Sequence, residues 1–204
     1  QNERALQLLA KHHVMVTVGF IMLDRESTAD EVRESLDFLS RNVANFSRVH
    51  PINKVLPYQG TGSYEKLQTN GHLRIVNDMP SYSFVSNEIS RFYDIAHVIF
   101  LPLFKRIEEM RRQVEPILER QEGNASIQIS YQQLVREINE TCFTFLGALL
   151  KFSTGPQRNE TLLSSSAERF VDRFGEWEEL LMMMASASRI KQEPREMLME
   201  NTNT

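Results

Sequence analysis

Few residues in this 204-residue chain stand at a spacing that does chemistry, and each such set is incomplete. Asp94-Ile95-Ala96-His97 has the acid-x-x-His spacing that places two metal ligands on one edge of a helix. A carboxylate-bridged dinuclear site needs a second such pair on another helix, and Glu137-Ile138-Asn139-Glu140 supplies only carboxylates. His97 alone could ligate a metal or haem, but a lone histidine beside an apolar stripe is more ordinarily a packed or solvent-edge residue. His12 and His13 diverge by about 100° on a helix, so they cannot both face inward. The single cysteine, Cys142, excludes an intramolecular disulfide and a cysteine-rich zinc site. It falls on an apolar stripe and reads as a small hydrophobe. No Gly-x-Ser-x-Gly nucleophile elbow occurs, and Gly60-Thr61-Gly62-Ser63 lacks the lysine and spacing of a phosphate loop. The expectation is a non-enzymatic protein with no catalytic residues, no metal and no cofactor.

Net charge is −4 with both signs interspersed, which argues against a nucleic-acid backbone as the partner, since phosphate binding wants a clustered basic face. The most basic stretch is Lys105, Arg106, Arg111 and Arg112. It is interrupted by Glu108 and Glu109 and reads as a solvated helix face. The most apolar run, Val14 to Leu23, is half the roughly 20 residues a spanning helix needs, so membrane attachment is expected only through segments outside this chain. The chain opens on Gln1, which suggests a piece excised from something longer. Asn-x-Ser/Thr occurs at Asn45, Asn124, Asn139 and Asn159, compatible with secretion, although Asn139 falls inside an expected helix.

These residues need a scaffold, and apolar periodicity supplies one. Ile89, Phe92, Tyr93, Ala96, Ile99, Phe100, Leu103, Ile107, Met110, Val114 and Ile117 recur mostly every three or four positions, which a strand with period two cannot use. Pro102 and Pro116 interrupt this stripe and predict a kink near 99–102 and an end or bend near 113–116. A second stripe from Tyr131 to Phe152 is expected to begin at a capping box, Ser130 with Gln133, and to stop at Gly155-Pro156. A third, from Ala167 to Met184, is expected to open at Ser165 with Glu168, and it contains Gly175 and the run Met182-Met183-Met184. A fourth, Val32, Leu36, Leu39, Val43 and Phe46, opens at Thr28 with Glu31. Residues 3–24 fit one further helix, although Val14, Val16, Thr17 and Val18 are β-branched and would also suit a strand.

Residues 50–84 break every periodic pattern with Pro51, Pro57, Gly60, Gly62, Gly71 and Pro80, and His72 to Val76 reads as a short strand. Loops this long are often functional. The predicted fold is therefore all-α: an up-down antiparallel bundle of about five helices over residues 1–190, with a long irregular insert between helices 2 and 3 and a flexible tail over 191–204. The layout is similar in architecture to the helical ectodomains of bacterial sensors and chemoreceptors, though no residue motif carries that likeness. The expected function is non-enzymatic ligand sensing by an extracytoplasmic part of a membrane-anchored signalling receptor. A small molecule would bind near the insert through Tyr58, Arg74, Arg91 and Tyr93, since arginine grips carboxylates in a fork and tyrosine offers a flat face and a hydroxyl. The alternative is an intracellular scaffold presenting a helical groove to a protein partner. A homodimer is compatible with either.

Overall fold

Apolar residues spaced by three and four build three long helices, α4 (Asn87–Arg120), α5 (Ala125–Thr154) and α6 (Glu160–Ile190), which pack pairwise on one another. The computed structural model describes residues 2–12, 14, 16–120, 125–155 and 160–190, and these are mostly helical. On α4 the stripe Ile89, Phe92, Ala96, Phe100, Ile107 and Val114 is buried as its spacing predicts, and Phe104 joins it. Phe100 and Phe145 each stack on Phe170, at 5.7 and 4.9 Å between ring centroids, and Trp177 meets Phe170 edge-on at 6.3 Å. Such rings supply buried area and a fixed geometry together.

The structure moves several expected helix ends. α4 runs on through both Pro102 and Pro116, so Pro116 does not terminate it. Both prolines lie on the exposed face, which leaves the carbonyls they free on the solvent side, while the buried stripe opposite holds the rod together. α5 starts at Ala125 and α6 at Glu160, which leaves Ser130 and Ser165 inside their helices rather than capping them. A serine followed by Glu or Gln is also what a solvated helix face looks like: Ser164 donates to Glu168 Oε1 at 3.3 Å, one turn along α6. The box at Thr28 does form. The Glu31 N–H donates to Thr28 Oγ1 at 3.3 Å, and the Thr28 N–H donates to Glu31 Oε2 at 2.8 Å.

The largest correction is at the N-terminus. The helix expected over 3–24 stops early, as α1 (Asn2–Lys11), and the chain becomes a strand, β1 (Val16–Val18). β1 pairs in parallel with β2 (Phe46–Val49), and α2 (Ala29–Arg41) forms the crossover between them. The β-branched run Val16-Thr17-Val18 wins because a strand partner is available. The fold is mostly helical, consistent with the expected all-α class, and among the described residues it adds two small two-stranded sheets. The pairing continues as a strap, in which the Met22 and Leu23 N–H groups donate to the Asn53 carbonyl at 3.1 and 3.2 Å and Val55 N–H donates to the Leu23 carbonyl at 2.8 Å.

The insert is more ordered than its breakers suggest. It holds α3 (Gly62–Thr69), whose Tyr64 N–H donates to Thr61 Oγ1 at 3.3 Å, and a hairpin of β3 (Arg74–Val76) and β4 (Met79–Ser81). Asn77 and Asp78 turn the hairpin with φ of 51° and 62°, left-handed values that short polar side chains tolerate. The chain after β4 is tied back to the turn before α2, since Val85 N–H donates to the Arg25 carbonyl at 2.9 Å and Arg25 Nη1 to the Ser83 carbonyl at 2.6 Å. The tail expected over 191–204 lies outside the described residues, as do Asn124 and Asn159. Asn139 is buried and donates to the Phe46 carbonyl at 3.2 Å, so it ties α5 to β2 rather than presenting an acceptor for a sugar.

Candidate functional site

The insert folds back on the turn at 24–26 and leaves a cleft of about 220 Å³ between them. One wall is the turn itself, shaped by Asp24: its Oδ1 accepts from the Glu26 N–H at 2.8 Å and from the Ser27 hydroxyl at 3.1 Å. This is the local side-chain bonding that makes Asp a turn residue. The other wall is α3 and its C-terminal exit, with Ser63, Lys66, Leu67, Asn70 and His72. Val55, Tyr82 and Val85 complete the lining. Lys66 Nζ reaches Glu26 Oε1 at 3.2 Å, the one ion pair described between the two walls.

Tyr82 is the unusual member. It is 5% exposed, and its buried hydroxyl has no hydrogen-bond partner among the described residues. Leaving such a group unmade costs roughly 1–3 kcal/mol. Burial pushes its phenol well above the usual tyrosine value, and the negative charge of Asp24 and then Tyr93 add to that. The ring also belongs to a second structure. Lys54 Nζ sits 4.8 Å from the Tyr82 centroid, 5.2 Å from that of Tyr93 and 5.8 Å from that of Phe84, and donates to Ser81 Oγ at 3.1 Å. Three aromatic faces thus surround one ammonium group. Desolvation draws the Lys54 pKa down, partly offset by Asp94.

On the far side of Lys54 lies a second cleft, of about 170 Å³, lined by His50, Lys54, Leu56, Tyr93, His97 and Phe104 among others. His50 meets Phe104 edge-on at 5.1 Å, and Tyr93 lies 5.4 Å from His97. Tyr82 borders the first cleft and Tyr93, on α4, borders the second, with Lys54 between their rings. A third cleft, about 260 Å³, separates α5 from α6 over Phe145 and Phe170. Its Arg173 is already held by Glu137 at 2.6 Å and by Glu176 at 2.5 Å.

The four residues expected to meet a ligand do not converge. Tyr93 lines the second cleft. Tyr58 and Arg74 are exposed and line neither this cleft nor the first. Arg91 is half-buried and donates to the Ser153 carbonyl at 3.3 Å, near the C-terminal end of α5, where carbonyls favour a cation. His97 is exposed and Cys142 buried, and burial pushes the Cys142 thiol far up, away from nucleophilic use. His13 lies outside the described residues. Among the described residues no group of three His, Cys, Asp or Glu side chains is placed to hold a metal ion. None of their helices is long and apolar enough to cross a membrane.

The candidate cleft is instead lined by Asp24, Lys66 and Tyr82, with Lys54 against the Tyr82 ring, and none of these four was singled out from the sequence. The aromatic alternation Tyr82-Ser83-Phe84 after a hairpin, with one lysine at 54 in the same irregular segment, was the available signal. No family model, curated protein or solved structure matches the chain.

Proposed function

We propose that the chain is a non-enzymatic ligand-sensing module in which the cleft between the 24–26 turn and α3 takes a small molecule. The carrying observation is Tyr82, which lines that cleft, holds a buried hydroxyl without a hydrogen-bond partner among the described residues, and at the same time packs on Lys54. Lys54 in turn packs on Tyr93 of α4. A ligand that engages Tyr82 therefore acts on a ring whose next neighbour but one is a long helix, and helix shifts of small amplitude are a known way to pass a signal. The charged and apolar groups of the lining suit a compact polar ligand, since drug-sized ligands occupy pockets of about 300–1,000 Å³.

In this reading α4, α5 and α6 run up and down as antiparallel neighbours, supported by the short connections over 121–124 and 155–159. The module is the extracytoplasmic part of a membrane-anchored receptor. A second reading, a scaffold that presents a helix to a protein partner, is favoured by one observation: α6 exposes Val171, Leu180, Met182 and Met183.

A thermal-shift screen of small acids, amines, amino acids and sugars tests the sensing reading. A ligand at 100 times its dissociation constant adds about 2.7 kcal/mol to stability. The bound compound should lose its effect on Leu67→Trp, which fills the cleft, while circular dichroism stays unchanged. A broad panel that leaves the melting curve still would sink the reading.

A further inference from the structure

The ionised residues lining the cleft at 24–26 balance: Asp24 and Glu26 carry two negative charges, and Arg25 and Lys66 carry two positive ones. A cleft with zero net charge gives no field that favours a simple anion or a simple cation. Its two signs are nonetheless separated in space. Glu26 stands on the turn and Lys66 on α3, and they meet across the opening at 3.2 Å. Their side chains are 66% and 67% exposed, and an exposed pair of this kind is cheap to open. Arg25 is committed to the Ser83 carbonyl at 2.6 Å, so Lys66 is the mobile cation. Buried Leu67, half-buried Val55 and exposed Val85 supply the apolar lining beside the buried Tyr82.

We infer that the cleft selects a small zwitterion bearing an apolar substituent, of the α-amino acid type. Its ammonium group replaces Lys66 as the partner of Glu26 and adds Asp24, and its carboxylate replaces Glu26 as the partner of Lys66. Both ends of the broken ion pair are then repaired by one molecule. An anion lacking the ammonium leaves Glu26 and Asp24 facing its own charge. A cation lacking the carboxylate leaves Lys66 unpaired and repels it. The substituent lies on Leu67 and the valines.

This inference rests on the ligand-site reading above, and three related compounds separate the two. The full 204-residue chain is titrated calorimetrically with L-valine, N-acetyl-L-valine and L-valinamide. L-Valine should bind at least ten-fold more tightly than either derivative. Lys66→Glu, at an exposed position that leaves the core untouched, turns the ionised lining to net −2 and should make L-valinamide the tightest of the three. Derivatives that match L-valine on the unaltered protein overturn the zwitterion while leaving the cleft a ligand site. If all three are silent but a panel compound other than an amino acid binds, the zwitterion alone is overturned. If the whole panel is silent, both proposals fall.

Discussion

Two polar clusters in this molecule use the same residue types in opposite ways. Inside the packed long helices, Arg111 is 0% exposed, with Nη1 on Glu108 Oε1 at 2.7 Å and Nη2 on Glu115 Oε1 at 3.4 Å. The Tyr131 hydroxyl donates to Glu115 at 2.8 Å and accepts from Arg111 Nε at 3.5 Å. Every group of that guanidinium points at a partner on its own or the next helix. At the 24–26 cleft, by contrast, a buried tyrosine hydroxyl has no partner among the described residues, and the ion pair beside it is exposed. The helical cluster pairs its charges with one another along α4, and the Tyr131 hydroxyl ties that set to α5. On the ligand-site proposal, the cleft offers a small molecule its exposed ion pair beside apolar side chains, the mix that such pockets use. An unpartnered group alone does not mark a site. The Trp177 indole N–H and the Ser153 hydroxyl are also buried without a hydrogen-bond partner among the described residues, and neither lines the first or second cleft.

The largest effect expected is at Arg111. Arg111→Met keeps the stem's volume but leaves Glu108, 3% exposed, without its guanidinium. Removing one member of a buried pair costs roughly 3–5 kcal/mol. Urea unfolding should show a loss of that order with an unchanged slope. A loss under about 1 kcal/mol, the range of exposed pairs, would mean the cluster behaves as surface, and the comparison would fail on its helical side.

Tyr131→Phe comes next. Its hydroxyl bonds to a carboxylate, and hydrogen bonds to charged groups contribute about 1.5–3 kcal/mol. The same urea measurement should place its loss near 2 kcal/mol, below that of Arg111→Met. The two losses should not add in the double variant, because both act on Glu115. Full additivity would show that the groups do not form one network.

The sequence showed the two clusters unequally. The α4 stripe named Ile89, Phe92, Phe100 and Ile107 correctly, because burial on a long helix is a geometric repeat. The same stretch misled on charge. Arg111 and Glu108 looked like part of a solvated face with Lys105, Arg106, Glu109 and Arg112, yet they fall one turn from buried Phe104 and Ile107 and go inside as a pair. Pairing of opposite charges three apart made that burial tolerable, and no hydropathy pattern registers it. The β1 error has a related cause: Val16-Thr17-Val18 fits both periods until a strand 30 residues later is known to lie beside it. For the site, the breakers pointed to the insert. The side chains that form the cleft come from 24–26, 55, 63–72 and 82–85, segments that long-range backbone ties bring together. Tyr58 and Arg74 were chosen by residue type, and type does not report which way a hairpin or loop folds back.

The smallest effect expected separates the clusters best. Tyr82→Phe removes a hydroxyl with no hydrogen-bond partner among the described residues, so stability without ligand should stay within about 0.5 kcal/mol or rise, the opposite of Tyr131→Phe. A loss near 2 kcal/mol would show that the Tyr82 hydroxyl is structurally bonded and would erase the contrast. The pH dependence gives a second handle. Because burial raises the Tyr82 phenol, the folded state favours its neutral form. That contribution is complete below the unfolded tyrosine value of about 10 and is lost as pH climbs through the raised folded value. The Lys54 shift has the opposite sign: desolvation lowers it, so its contribution grows as pH rises toward the unfolded lysine value. The unaltered protein therefore sets the Lys54 gain against losses from Tyr82 and from the likewise raised Tyr93, Tyr131 and Cys142 between about pH 9 and 11, and the difference between it and Tyr82→Phe isolates the Tyr82 phenol. The variant should lose stability less steeply over that window. On the ligand-site proposal, binding should fall in the same variant, because a bound ligand would give the Tyr82 hydroxyl the partner it lacks among the described residues. A variant that keeps both the alkaline slope and full affinity would place the recognition chemistry elsewhere than at Tyr82.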